Sequence, residues 1–186
     1  MSKLPIHCIL AVDSTNGIAL DDTILWNCKS YIEYFKKNTI NTSDKIKINA
    51  VIMERKTWES IPEKHRPLIN RLNIVITSSK LELDGSMIFK NPHDAINYLN
   101  TNKANEIESI FIIGGKQLYD EFINSNYTKL LYLTRLDDDY NTNIKTHIDL
   151  TKYKLISSFP TLKTMRQFLC GKPHINNPCI LFQKSP

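Results

Sequence analysis

Residues 110–120 read Ile-Phe-Ile-Ile-Gly-Gly-Lys-Gln-Leu-Tyr-Asp. Ile110 to Ile113 are consecutive apolar residues, the pattern of a strand buried on both faces. Gly114 and Gly115 follow, and then Gln117, Leu118, Tyr119, Glu121 and Phe122 run at helical spacing. A buried strand, a glycine corner and a helix make one half of a phosphate-binding unit. The glycines let the backbone approach a ligand with no Cβ in the way, and the amides opening the helix would face an anion. A plain strand-to-helix turn has the same pattern, so the reading depends on the rest of the chain.

Outward from that stretch, strands alternate with helices. Residues 4–12, 48–53, 72–77, 86–89, 109–113 and 129–136 read as strands, with Pro5 at a strand start where no ladder donor is needed. Residues 153–158 and 178–184 read as a closing antiparallel hairpin with a long connection. Helices are expected over 29–38, over 58–61 (ended by Pro62), from Asn91-Pro92 to about Asn100, and over 115–124. Residues 13–25 form a long polar loop of the kind that covers ligands beside a sheet. The class is α/β with a largely parallel sheet and right-handed crossovers. The whole of 1–186 is read as a single domain with no repeat or linker.

Composition narrows the function. An apolar fraction of 41% and a charged fraction of 23% are those of a soluble globular protein. No apolar run reaches membrane-spanning length, and the N-terminus lacks a signal-peptide pattern. Cys8, Cys28, Cys170 and Cys179 show no metal spacing, and read as free thiols in the cytoplasm. The charge of +5 is modest and suits a small anionic ligand as well as nucleic acid; with the basic residues spread along the chain, a small molecule and not nucleic acid is the expected partner.

Longer segments carry a resemblance. Gly-Ile-Ala-Leu-Asp-Asp-Thr-Ile-Leu-Trp (17–26) and Tyr-Phe-Lys-Lys-Asn-Thr (34–39) are similar to the loop and first helix of dihydrofolate reductases. The run 51–76, from Val-Ile-Met-Glu-Arg-Lys-Thr-Trp to Leu-Asn-Ile-Val-Ile, resembles that family throughout. So do Ile-Ile-Gly-Gly-Lys-Gln-Leu-Tyr, Leu-Tyr-Leu-Thr-Arg and Ile-Asp-Leu-Thr-Lys-Tyr-Lys-Leu, in order along nearly the whole chain. The resemblance implies an eight-stranded, mostly parallel sheet flanked by helices, with an antiparallel C-terminal strand. It implies hydride transfer from NADPH to C6 of dihydrofolate with protonation at N5, by a protein acting as a monomer. The cofactor carries the redox chemistry and the protein supplies position and electrostatics.

The resemblance also assigns residues. Gly114 and Gly115, joined by a cis bond in this family, would receive the pyrophosphate together with Lys116, Gln117, Leu118 and Tyr119. Arg55, Lys56 and Thr57 sit at a strand-to-helix turn suited to phosphate; Thr77, Ser78 and Lys90 match the adenosine 2′-phosphate region. Ala11 and Ile18 would line the nicotinamide pocket. Arg71 matches the arginine that binds the glutamate carboxylate, for which a guanidinium fork has the right shape. Phe35, Ile61 and Ile32 would pack on the substrate rings, and the carbonyls of Ile9 and Ile113 would meet its exocyclic amine. Thr134 matches the threonine that bonds the acidic residue and a water held by Trp26. Without the resemblance, Arg55 and Lys56 describe a solvated turn, and Phe35, Ile32 and Ile61 describe core.

The chain departs from the family at several of these places. Tyr31 stands where a carboxylate should face the pterin, four residues before Phe35. A phenol with pKa of about 10 accepts one bond but carries no charge at neutral pH. Glu33, the nearest acid, lies about 200° round the helix and points away. Leu25 replaces a proline, Ala19 a glycine, and Asn70 a glycine whose positive φ asparagine tolerates. Glu54 replaces a glycine beside the cofactor phosphates, which is unfavourable unless its side chain swings out. Residues 142–146 replace a segment that positions the covering loop. Three functions remain in view: a dihydrofolate reductase with impaired protonation, an NADPH-dependent pyrimidine reductase, and a non-catalytic folate- or nucleotide-binding protein.

Overall fold

The apolar runs assemble into one sheet in the computed structural model of the chain, which describes residues 3–20, 29–79, 82–136, 139–159 and 179–185. The strands are β1 (Ile6–Val12), β2 (Gly17–Ala19), β3 (Ile48–Glu54), β4 (Arg71–Ile76), β5 (Ser86–Phe89), β6 (Ile107–Ile112), β7 (Thr128–Arg135), β8 (Ile144–Lys145), β9 (Tyr153–Phe159) and β10 (Cys179–Lys184). The helices are α1 (Lys29–Ile40), α2 (Arg55–Ser60), α3 (Pro92–Asn102) and α4 (Lys116–Phe122). Eight strands lie in the order β5-β4-β3-β6-β1-β7-β10-β9. Pairings are parallel except those of β10, which runs antiparallel to both neighbours. The expected α/β sheet with an antiparallel C-terminal strand is therefore present.

Alternation within the strands assigns the two faces. Cys8, Leu10 and Val12 of β1 join Ile110 and Ile112 of β6 in one core cluster, with Ala95 and Leu99 of α3 and Leu118 and Phe122 of α4. Ile9, Val51, Met53, Phe111 and Ile113 point the other way and pack with Trp58 of α2 and with Tyr34 and Phe35 of α1. Both faces are covered, which explains the unbroken apolar runs.

Some boundaries differ from the sequence expectation. Helix α2 begins at Arg55, directly off β3, and not at Trp58. It stops at Ser60 because Ile61 precedes a proline and takes an extended conformation, φ −75° and ψ 127°. Strand β6 begins at Ile107, and helix α4 ends at Phe122.

The loop after β1 contains a strand that the sequence does not announce. β2 pairs antiparallel with β8 in a separate two-stranded sheet. Asp13 anchors it: Oδ1 accepts from the Thr15 amide at 2.8 Å, the Thr15 hydroxyl at 2.9 Å and the Gly17 amide at 2.8 Å. Its Oδ2 accepts from Thr142 Oγ1 at 2.6 Å. A Cβ on Gly17 would fall 1.5 Å from Thr142 Oγ1, so the Gly17 backbone lies directly against the Thr142 side chain. Residues 142–146, seen in the sequence as replacing a loop-positioning segment, thus hold this loop themselves.

Burial alone would raise the Asp13 carboxyl, but hydrogen bonds from Thr142, Gly17 and Thr15 outweigh it and hold the pKa below the ordinary carboxylate value. A depressed pKa contributes stability above the unfolded value, about 3.9, which is lost as pH falls through the folded value. Asp13→Ala should cost about 1–3 kcal/mol at pH 7 by urea denaturation. Wild type and variant should converge in acid; a deficit that grows between pH 6 and pH 3 would contradict this assignment.

Candidate active site

A cleft of about 320 Å³ opens at the carboxyl ends of β1, β3 and β6, where open α/β sheets bind ligands. It is lined by Ala11, Ile18, Tyr31, Lys56, Thr57, Ile113, Gly114, Gly115, Lys116, Gln117 and Tyr119, all candidates from the sequence. Leu10, Ala19, Glu54, Ser60 and Ile144 complete the lining. Ser60 was legible in principle, being one turn beyond Lys56 and Thr57 on α2. Ile144 arrives only through the pairing of β8 with β2, for which the sequence carries no signal.

The glycine pair forms a close-approach surface. The Gly114–Gly115 peptide bond is cis, as the resemblance implied, and Gly114 has φ of +122°. A Cβ there would be strained and would lie 3.1 Å from Thr57 Oγ1. The Glu54 amide donates to the Gly114 carbonyl at 2.8 Å, tying the end of β3 to the corner.

Glu54 does not swing out. Its Oε1 accepts from the Leu118 amide at 3.0 Å, and its Oε2 lies 3.2 Å from the position a Cβ on Gly115 would take. Gly115 caps α4 without a side chain, so the opening amides need an acceptor from elsewhere. Glu54, although it caps α2 by position, makes no side-chain bond to its own helix. Leu118 therefore reaches the site only through its amide; its side chain is buried in the core.

Two of the basic candidates face carboxylates of their own helices. Lys116 pairs with Asp120, and Arg55 Nε lies 3.6 Å from Glu59 along the outside of α2. Thr77, Ser78 and Lys90 lie outside the cleft lining, at the ends of β4 and β5. The register Glu54↔Ile76↔Phe89 sets those ends beside Arg55, and the Thr77 amide donates to the Phe89 carbonyl at 2.9 Å.

The other half of the candidate site lies between α1 and α2. Phe35 and Ile61 pack on the cluster containing Ile9 and Ile113, while Ile32 remains 40% exposed on α1. Tyr31 sits one turn before Phe35, with ring centroids 6.2 Å apart, and Glu33 is exposed, as helical geometry required. The Ile9 carbonyl accepts from Tyr119 Oη at 2.9 Å. Burial and then the neighbouring Tyr31 push the Tyr119 phenol well above its usual pKa, so it stays a neutral donor. Thr134 is buried and donates to Cys179 Sγ at 3.2 Å, away from the cleft lining. With no acid on α1 at position 31, its hydroxyl takes the partner opposite it on β10, the register pair Thr134↔Cys179. Trp26 and Leu25 lie outside the described residues. Cys8 and Cys179 are buried and in no disulfide; Cys28 and Cys170 also lie outside the described residues.

Arg71 is buried at the start of β4, with its guanidinium carbon 5.8 Å from the Phe35 ring centroid. It donates to the Ile69 carbonyl at 3.0 Å and to Thr39 Oγ1 at 2.9 Å. Burial lowers its pKa to about 10, which leaves it cationic at neutral pH. Among the described residues no carboxylate pairs with it. Asn70, just before it, takes φ of +59°, as expected.

Among the described residues no His, Cys, Asp and Glu side chains gather as a metal site, and no helix is long and apolar enough to cross a membrane. The sequence profile of the family described as dihydrofolate reductase matches residues 5–167. The dihydrofolate reductase of Mus musculus is 35% identical over 161 residues, covering 84% of this chain and 86% of that protein. That of Drosophila melanogaster is 38% identical over 136 residues, covering 72% and 74%. The bifunctional dihydrofolate reductase-thymidylate synthase 2 of Arabidopsis thaliana is 34% identical over 168 residues, covering 86% of this chain and 30% of that protein.

A buried cation with no internal counter-charge is a cost to the fold that a ligand can offset. Arg71→Met should therefore melt within a few degrees of wild type or above it. A fall of more than about 5 °C, on the order of 1–2 kcal/mol for a domain of this size, would make the guanidinium a structural group.

Proposed function

The chain belongs to the dihydrofolate reductase family, and on that premise we propose that its cleft reduces dihydrofolate with NADPH to tetrahydrofolate. The observation that carries the reading is Arg71, a buried guanidinium facing no carboxylate among the described residues, at the edge of the face made by Phe35 and Ile61. That arrangement suits a flat ligand ending in a carboxylate.

The glycine pair, with Lys56, Thr57, Lys116, Gln117 and the Leu118 amide, would hold the cofactor diphosphate. Arg55, Thr77, Ser78 and Lys90 would meet the 2′-phosphate, and Ala11, Ile18 and Tyr119 would flank the nicotinamide. When bound, the nicotinamide supplies the hydride. Phe35, Ile61 and Ile32 would sandwich the substrate rings, Arg71 would bind the glutamate carboxylate, and the carbonyls of Ile9 and Ile113 would orient the pterin amine. Tyr119 positions the Ile9 carbonyl by donating to it. The family role of Thr134 and Trp26, ordering a water beside position 31, would require the Thr134 hydroxyl to leave Cys179. The chain would act as a monomer on a small molecule in the cytoplasm, where Cys8 and Cys179 would stay reduced.

Tyr31 decides the proton route. A phenol orients N3–H poorly and offers no negative charge to favour protonation at N5, so that proton comes from solvent. The same residue, together with the Glu54 carboxylate in the cleft, favours as second reading a protein that binds folate or nucleotide without turnover.

NADPH oxidation with dihydrofolate should rise steadily as pH falls, since a more acidic solvent replaces the missing acid. Tyr31→Asp should raise the neutral-pH rate at least about tenfold, the low end of what a positioned acid contributes. High turnover independent of pH contradicts the role given to Tyr31. Absence of turnover in both proteins despite NADPH binding removes dihydrofolate as substrate, and a ribosylamino-pyrimidine is then the one to assay.

A further inference from the structure

We propose that Glu54 is a tethered competitor of the cofactor diphosphate, occupying its place against Gly115 and leaving when NADPH binds. The proposal rests on the cofactor reading above and adds to it the residue that sets cofactor affinity. Three observations carry it. The Glu54 carboxylate lines the cleft and lies 3.2–3.3 Å from where a Gly115 Cβ would stand. It takes the Leu118 amide at 3.0 Å, a donor that a diphosphate in the same place would need. The cations beside it are committed as well, Lys116 to Asp120 and Arg55 to Glu59. One amide of the cradle and two neighbouring cations thus already face the chain's own carboxylates.

An entering diphosphate meets a negative charge at contact distance and must displace it to reach the Leu118 amide. Affinity for NADPH then reflects a difference between two anions competing for one set of donors. Dihydrofolate, which carries no diphosphate and is assigned to the Phe35–Arg71 half of the site, lies outside this competition.

The test is titration of the intact chain with NADPH and, separately, with dihydrofolate, followed by calorimetry. Glu54→Gln keeps the shape and an acceptor for Leu118 but removes the charge; Glu54→Gly removes both. Both variants should bind NADPH at least about tenfold more tightly than wild type, with dihydrofolate affinity changed by less than about twofold. Equal NADPH affinity in all three proteins, or weaker affinity in the variants, overturns the proposal and leaves Glu54 a cap for α4. If Glu54→Gln does not fold, Glu54→Gly decides alone; if neither folds, Glu54 is required by the fold and the proposal fails. If no protein binds NADPH while dihydrofolate binds, the cofactor reading itself falls, which is a different result.

Discussion

The last hydrogen bond between the end of β3 and the segment leaving β6 runs from the Glu54 amide to the Gly114 carbonyl, one step beyond that from the Ile113 amide to the Ile52 carbonyl. That bond fixes how closely the glycine corner approaches α2, and with it the width of the cleft floor. Gly114, at positive φ with Thr57 against it, accepts no side chain there. This side of the cleft is measured from that junction: Thr57 and Lys56 from α2, Lys116 and Gln117 from α4, Ala11 from β1. The cleft follows from sheet order, because β3, β6 and β1 are neighbours although far apart in sequence.

The fold was legible because both faces of the sheet are covered, so each central strand is an uninterrupted apolar run between polar connections. The glycine pair and the residues after it were legible for the same reason. What escaped had no local signature. β2 and β8 are three and two residues long, and their pairing depends on Asp13 reaching Thr142 across the chain. The start of α2 escaped because Arg55-Lys56-Thr57 reads as a polar turn as easily as a first helical turn. The acceptor of the Thr134 hydroxyl, Cys179, lies on a strand 45 residues away.

Glu54 shows where charge reasoning alone misleads. A carboxylate in an anion cradle is unfavourable when an anion is there, unless its side chain swings out. The same amides that attract an anion attract a carboxylate, and the Leu118 amide has Glu54 within 3.0 Å. Arg71 is the opposite case: a cation with carbonyl and hydroxyl partners but no counter-charge among the described residues. One half of the site carries its own anion and the other half lacks one. Tyr31 lies against the cleft, with its ring near Phe35 of the second half.

The proposed function requires two adjoining subsites, one for a diphosphate at the glycine pair and one for a carboxylate-bearing heterocycle between α1 and α2. Amide chemical-shift mapping of the isotope-labelled chain tests this most directly. NADPH should move the signals of Gly114, Gly115, Lys116 and Gln117 and leave Arg71 and Thr39 in place. Dihydrofolate should move Phe35, Thr39 and Arg71 and spare the glycine pair. Both ligands moving one common set of residues, or either moving only residues remote from β3, β6 and α1, would contradict the division of the cleft.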